Sequence, residues 1–220
     1  MMPAGASRSA AGERALPPAL PQFAHIRRSW DAQLGAVVAK LLPGEYYVTR
    51  HDELIFTTLG SCVSACVRDV KLGVGGMNHF MLPLSNASTK GGWGGDDMVS
   101  SATRYGNVAM ERLINDILKI GGQRANLEFK LMGGGKVLDI ALDVGAGNVA
   151  FIRDYLQVEG FVISAEDLGD VFARKVYYSP ASGKLRAKRL TANVNRAVFD
   201  RERDSVPSRT QIEATSVELF

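Results

Sequence analysis

Thr57-Thr58-Leu59-Gly60-Ser61-Cys62-Val63-Ser64-Ala65-Cys66-Val67-Arg68-Asp69, running on to Gly75-Gly76-Met77-Asn78-His79-Phe80-Met81-Leu82-Pro83, is the stretch on which the fold turns. Its two flanks are apolar and β-branched, and Asp69-Val70-Lys71-Leu72-Gly73 between them has the composition of a turn. The spacing predicts two antiparallel strands. A turn centred between Val70 and Lys71 sets Cys62 directly opposite His79 on one side of the ribbon, with Cβ atoms roughly 4.5–5.5 Å apart. Slipping one strand by one residue would send the two side chains to opposite faces.

Outward from the ribbon, Glu45–Thr49 and Leu54–Thr57 read as strands. Before them, Leu34, Val37, Val38, Leu41 and Leu42 fall at helical spacing, which predicts a short helix within residues 23–42, stopped by Pro43-Gly44. After the ribbon, residues 85–95 read as a flexible loop with Trp93 in it. A long helix follows, capped by Asp96 or Asp97, with Met98, Ala102, Tyr105, Ala109, Leu113, Ile117 and Ile120 on its apolar face and Gly121-Gly122 at its end. Leu127–Met132 reads as a strand leading into Gly133-Gly134-Gly135-Lys136. Asn148 is the expected cap of a second helix that carries Val149, Ile152, Tyr155 and Leu156 inward and stops at Gly160. Phe161–Ser164 is a further strand. A hairpin closes the series, Ala173–Tyr178 and Leu185–Leu190 about a turn at Pro180–Gly183. Helices mixed with hairpins, without strict alternation, predict an α+β fold with mixed, largely antiparallel sheets. Residues 1–22, rich in Ala, Gly, Ser and Pro, are expected to be a disordered lead, 23–198 one domain, and 199–220 a disordered polar tail.

The chain has 220 residues, 46% hydrophobic and 22% charged, with a net charge of +3. That is the composition of a globular protein. So small an excess gives no ground for nucleic-acid binding, though it favours an acidic protein partner over a basic one. No apolar run approaches the length of a membrane span. Two cysteines and no apolar core to the N-terminal segment suggest reduced thiols in the cytoplasm.

Cys62 has two readings. A cysteine in a Val/Ala-rich strand is commonly a small core residue. Here, however, Gly60 and Ser61 precede it, and a sharp bend there presents N–H groups as an oxyanion site requires. His79 falls opposite as a base for the thiol. Thr57 and Thr58 lie close upstream and can orient either the imidazole or the attacked group. Cys66 reads as buried and inert, and on a strand it is too far from Cys62 for a disulfide. His25 and His51 stand at no metal-ligand spacing from the cysteines, so no metal is expected. Gly133–Lys136 fails as a phosphate loop. Lys130 stands where its first glycine belongs and Val137 where Ser or Thr belongs, so tight backbone packing near the site is expected instead. The basic residues of the last hairpin (Arg174, Lys175, Lys184, Arg186, Lys188, Arg189) read as a solvated face or as a docking surface for an acidic partner.

Leu59–Val63, Gly75–Pro83, Ala165-Glu166-Asp167-Leu168-Gly169, Arg174-Lys175-Val176 and Leu42–Tyr47 together resemble the CheD family of bacterial chemoreceptor glutamine deamidases, from about residue 42 to Leu190. The resemblance implies a layered α/β/β sandwich similar to the deamidase domains of cytotoxic necrotizing factor toxins. It also implies hydrolysis of receptor glutamine amides to glutamates, with methylesterase activity as a side reaction. By that likeness Cys62 matches the nucleophile and His79 the general base. An ungapped match puts Phe56 at the third, threonine position. Thr57, one step on, is the expected residue. Gly60 and Ser61 are expected to position the oxyanion. The reaction needs no cofactor. The implied partners are the cytoplasmic helical region of methyl-accepting chemotaxis receptors and a CheC-type phosphatase, with no nucleic acid and no membrane insertion. The alternative is an adaptor that binds receptors or such a phosphatase without catalysis.

Overall fold

A computed structural model describes residues 15–82, 96–137, 143–191, 197–198 and 200, with the side chains of the long helix from residue 103 on. The expected loop at 85–95 with Trp93, and the termini 1–14 and 201–220, lie outside the described residues.

Among the described residues, ten strands form two five-stranded sheets. The first contains β1 (Arg27–Asp31), β2 (Ala36–Lys40), β4 (Glu53–Leu59), β9 (Arg174–Tyr178) and β10 (Leu185–Arg189), in that order. The second runs β3 (Tyr46–Thr49), β6 (Gly75–Asn78), β5 (Val63–Asp69), β7 (Leu127–Gly133) and β8 (Ile163–Leu168). Each sheet has one parallel pair, β2 with β4 and β7 with β8, and is otherwise antiparallel. Helix α1 (Asp96–Lys119) lies on β3, β5 and β6, and α2 (Val144–Val158) lies on β5 and α1. The result is the expected α+β sandwich of a helical layer and two sheets, with no closed barrel among the described residues.

The periodicities explain the layers. β4 alternates strictly, with Glu53, Ile55, Thr57 and Leu59 buried toward the second sheet and Leu54, Phe56 and Thr58 half-exposed on the outside. β5, covered on both faces, is buried almost throughout. On α1 the buried positions Gly106, Met110, Leu113 and Ile117 follow the helical repeat. The opposing strand β6 must pass close beneath: a Cβ on Gly76 would stand 2.9 Å from Leu113 and 2.3 Å from the Tyr47 carbonyl. The helix ends as expected, with Gly122 N–H on the Ile117 carbonyl and Gly121 N–H on Leu118, at a positive φ of 101° for Gly121. A capping residue before Asp96 lies outside the described residues.

Three expectations fail. Residues 23–42 hold no α-helix. A single 3-10 turn at Pro21–Phe23 is followed by the β1–β2 hairpin. Asp31 accepts the Gln33 and Leu34 amides and Gly35 takes φ 64°, so the loop chemistry outweighs a helical spacing of apolar residues. The chain also packs before residue 23: Ala19 and Leu20 touch the core, and Arg28 donates to the Pro17 carbonyl. Secondly, Asn148 does not cap α2. Asp143 does, accepting the Ala146 amide at 2.9 Å.

The third failure is the ribbon register. Asp69 and Val74 close a four-residue turn, Val70–Gly73, centred between Lys71 and Leu72. The Asp69 carboxylate fixes that choice by accepting the Lys71 and Leu72 amides on one oxygen and Gln123 N–H and the Asn126 side chain on the other. Burial alone would raise its pKa, but these donors outweigh it and hold the group below the ordinary aspartate value. The pairing is therefore Cys66 with Met77 and Val63 with Phe80, two residues away from the expected one. Extending that register sets His79 opposite Ser64 and Cys62, one residue before β5, opposite Met81. A shift of two keeps every side chain on its face, so Cys62 and His79 remain on the same side as diagonal neighbours.

The sheets are tied through the core as well as packed. Glu53, fully buried on β4, accepts the Tyr47 hydroxyl from β3 at 2.7 Å and pairs with Arg28 of β1. Breaking such a pair from one side leaves a buried charge uncompensated.

Candidate active site

The chain crosses from the first sheet to the second between Leu59 and Val63. The crossing residues are Gly60, Ser61 and Cys62, and all three are buried. Their carbonyls are each taken. Gly135 N–H donates to Gly60 O at 2.8 Å, Asn148 Nδ2 to Ser61 O at 2.8 Å, and Gly134 N–H to Cys62 O at 2.7 Å. The Gly133–Gly135 strap thus does what the sequence suggested in general terms, packing backbone against backbone beside the site. Because a trans peptide points its N–H opposite its C=O, anchoring the Gly60 and Ser61 carbonyls turns the Ser61 and Cys62 amides to the other side of this crossing.

His79 continues β6. Its N–H donates to Glu45 O and its carbonyl accepts Gly44 N–H, at 2.8 and 2.7 Å. The imidazole enters the sandwich, where Nδ1 lies 2.7 Å from Thr57 Oγ1. Thr57 Oγ1 also stands 3.0 Å from the Leu41 carbonyl, which can only accept. The single hydroxyl proton goes to Leu41, so the hydroxyl oxygen accepts Nδ1–H of His79. That fixes the tautomer and leaves Nε2 as the basic nitrogen. Of the upstream residues weighed for this place, Phe56 and Thr58 point to the outer face of β4, and Thr57 alone points inward. Replacing Thr57 by Val should lower kcat about 10–100-fold, the cost of a hydrogen bond to a group that becomes charged. KM should hardly move, and Thr57→Ser should recover most of the rate. Equal losses for Val and Ser would show that the hydroxyl is not what matters.

Cys62 is 0% exposed and His79 1%. Access to the sulfur therefore requires a covering group to move. A cavity of about 20 Å³, room for one water, is lined by Leu41, Thr57, His79, Lys40, Phe56 and Val198 among others. Val198 packs with Val137 and Ala173 and closes that side. On the helical side stands Tyr105 of α1. Burial chiefly, then the negative charge that Cys62 can carry, raise its pKa against the pull of Arg112. Cys66 is likewise fully buried, and desolvation pushes its thiol far above the ordinary range despite Lys130. A thiolate is strongly disfavoured there.

Two residues escaped the sequence reading. Asn148 sits in the second turn of α2, where its amide bridges Ser61 O and, at 2.9 Å, Leu82 N–H. An asparagine near a helix start is most simply read as a cap, which hid this role. Tyr105 falls at an apolar-face position of α1 in the sequence pattern, which says nothing of its proximity to Cys62.

Comparison with known proteins gives a consistent result. The family model described as CheD chemotactic sensory transduction matches residues 81–189. A protein named probable chemoreceptor glutamine deamidase CheD from Halorhodospira halophila is 54% identical over 85% of this chain and 86% of its own length. Relatives of the same name from Hahella chejuensis and Herminiimonas arsenicoxydans are 48% and 52% identical, over 93% and 87% of this chain and 95% and 93% of theirs. Alignments of that length cannot avoid the Cys62–His79 segment.

Proposed function

We propose, from the premise that this chain belongs to the CheD family, that it hydrolyses glutamine side chains of chemoreceptors to glutamates and that Cys62 is the nucleophile. One observation supports the cysteine mechanism above others. The imidazole, which the strand register places on the face of Cys62, is held in a single tautomer by Thr57, with Nε2 as its basic nitrogen.

In this mechanism His79 Nε2 takes the Cys62 proton, and the thiolate attacks the carboxamide carbon of a bound glutamine. The Ser61 and Cys62 amides receive the oxyanion, with Gly60 giving the bend that aims them. Thr57, still accepting Nδ1–H, stabilises the imidazolium. His79 then protonates the departing nitrogen as the C–N bond breaks, and ammonia leaves a thioester. Water attacks that thioester with His79 again as base, breaks the C–S bond and leaves glutamate and the free thiol. A thioester of this kind is equally the intermediate for hydrolysis of a glutamyl methyl ester, so the same residues would support an esterase side reaction. No helix among the described residues is long and apolar enough to cross a membrane. A cytoplasmic enzyme acting on the cytoplasmic helical region of its receptor fits that.

The test is to incubate the full chain with a purified chemoreceptor cytoplasmic fragment and map masses by peptide. Converted glutamines should each gain about one dalton, the mass of an amide-to-acid exchange. In parallel, Cys62 should be alkylated faster than Cys66 at neutral pH. No mass gain together with two equally inert thiols would leave a non-catalytic adaptor for receptors or a CheC-type phosphatase.

A further inference from the structure

Among the described residues α1 and α2 both lie on the second sheet, so the first sheet turns one face away from them, with Val137 and Val198 packed at its Ala173 end. The strand pairings define what stands on that face. One row crosses all five strands as Arg27, Lys40, Phe56, Tyr177 and Arg186. The next row contains Thr58, Lys175 and Lys188. Phe56 and Tyr177 stack at its centre, their ring centroids 4.7 Å apart. Arg27, Lys175, Arg186 and Lys188 are exposed and Lys40 is half-exposed.

Elsewhere in the described fold cations are commonly matched by carboxylates: Arg28 with Glu53, Arg68 with Glu128, Arg124 with Glu159, Arg153 with Glu166, Arg174 with Asp167. None of those matched cations lies on the outward rows. The cations that do lie there have no acidic partner among the described residues. Asp31, the acid that shares this face, is at the far end of β1, with its carboxylate already accepting two amides. Charge is therefore graded along the strands: it is positive in the rows toward the C-terminal ends of β2 and β4 and absent from the row of Ser29, Val38 and Leu54. Those strand ends are where Lys40 and Phe56 line the cavity that reaches Thr57 and His79.

We infer that this face is the docking platform for the substrate protein, and that it binds an acidic helical surface whose carboxylates flank the target glutamine. The inference rests on the deamidase reading and adds the chemistry of recognition. It commits to a protein rather than an anionic lipid or a nucleic acid because the positive rows lead to the catalytic residues. Whatever lies on them must also present a carboxamide there. Charges of this sort act mainly on encounter and register rather than on the chemical step. Each conversion adds a carboxylate to the substrate surface, so the platform grips a partly converted receptor more strongly than an unconverted one.

Lys175 and Lys188 are exposed and outside the catalytic machinery, so the double variant K175E/K188E tests the platform. Against a chemoreceptor cytoplasmic fragment, its KM should rise about tenfold, as two exposed attractions become repulsions, with kcat within about twofold of wild type. Raising NaCl should raise the wild-type KM and leave that of the variant nearly flat. Poly-L-glutamate should inhibit the wild type by competition and the variant far less. Cys62 alkylation at the wild-type rate would show that the site is intact. An unchanged KM, or a wild-type KM indifferent to salt, overturns the platform. So does a variant that loses binding to phosphatidylserine vesicles while keeping its KM for the fragment. If the wild type converts no glutamine, the deamidase reading fails separately, and salt-dependent binding of labelled fragment still decides the platform.

Discussion

Cys62→Ala is expected to abolish the mass gain on receptor peptides, with a loss of at least about 10⁴-fold in rate. The size follows from the role. Without the sulfur no thioester forms, and the carboxamide must be attacked by water directly. The buried imidazole and the amides of the crossing would still be present, so a small residual rate above background is consistent with the mechanism. Stability is a separate matter. The side chain is 0% exposed, and replacing it by the smaller Ala costs a fraction of a buried methyl-sized contact, of order 1 kcal/mol. The variant should therefore fold, bind the receptor fragment with wild-type affinity and convert nothing. A Cys62→Ala protein that still converts glutamines at a comparable rate would remove the nucleophile from the scheme, and with it the roles given to His79 and Thr57. Cys66→Ala is the matched control. That thiol is as deeply buried, and its loss should leave activity nearly unchanged.

The second large effect is expected from Gly133→Ala, a residue that touches no substrate. Gly133 has φ 108°, and a Cβ built on it would lie 2.2 Å from the Cys62 carbonyl oxygen and 3.2 Å from Leu59 Cδ1. The positive φ alone costs a side chain about 1–3 kcal/mol. The clash is with backbone, so it cannot be relieved by a rotamer change. Either the Cys62 peptide moves or the strap lifts, and in both cases the Gly134–Cys62 hydrogen bond is lost. We expect at least about a 100-fold fall in kcat from sub-ångström misplacement of the nucleophile, together with a stability loss of about 3 kcal/mol read as a lower urea midpoint. Gly147→Ala is the contrast, since nothing stands within 4 Å of a Cβ there. Near-wild-type activity in Gly133→Ala would mean that the strap does not hold the crossing in place.

The contrast between these glycines shows what could be read before any coordinates. Strands with a clear alternation or dense branching, such as β4, β5 and β9, announce themselves, and so does α1 with its terminal Gly121-Gly122. The β1–β2 hairpin does not. Its strands are five residues each, its apolar spacing also fits a helix, and the deciding information is the Asp31–Gly35 loop. The ribbon register was misplaced for a related reason. Composition marks a turn around residues 69–73, but only the four donors gathered on Asp69 choose which residues close it. That Cys62 and His79 share a face was legible, because face survives an even shift. That consecutive strands β4 and β5 belong to different sheets was not, and this is what makes Gly60–Cys62 a crossing. Asn148 was hidden because its importance lies wholly in a carbonyl 87 positions away in sequence.

The contact between Thr57 and His79 joins the two layers of the sandwich, since the hydroxyl rides on one and the ring on the other. On the proposed mechanism, catalytic competence is then a property of how the two sheets are seated, and neither sheet owns it. Any force that slides one past the other by half an ångström unseats the ring while each layer keeps its ladders. Warming should silence the enzyme before circular dichroism sees it melt, and a partner that clamps the layers together would act as an activator without touching the sulfur.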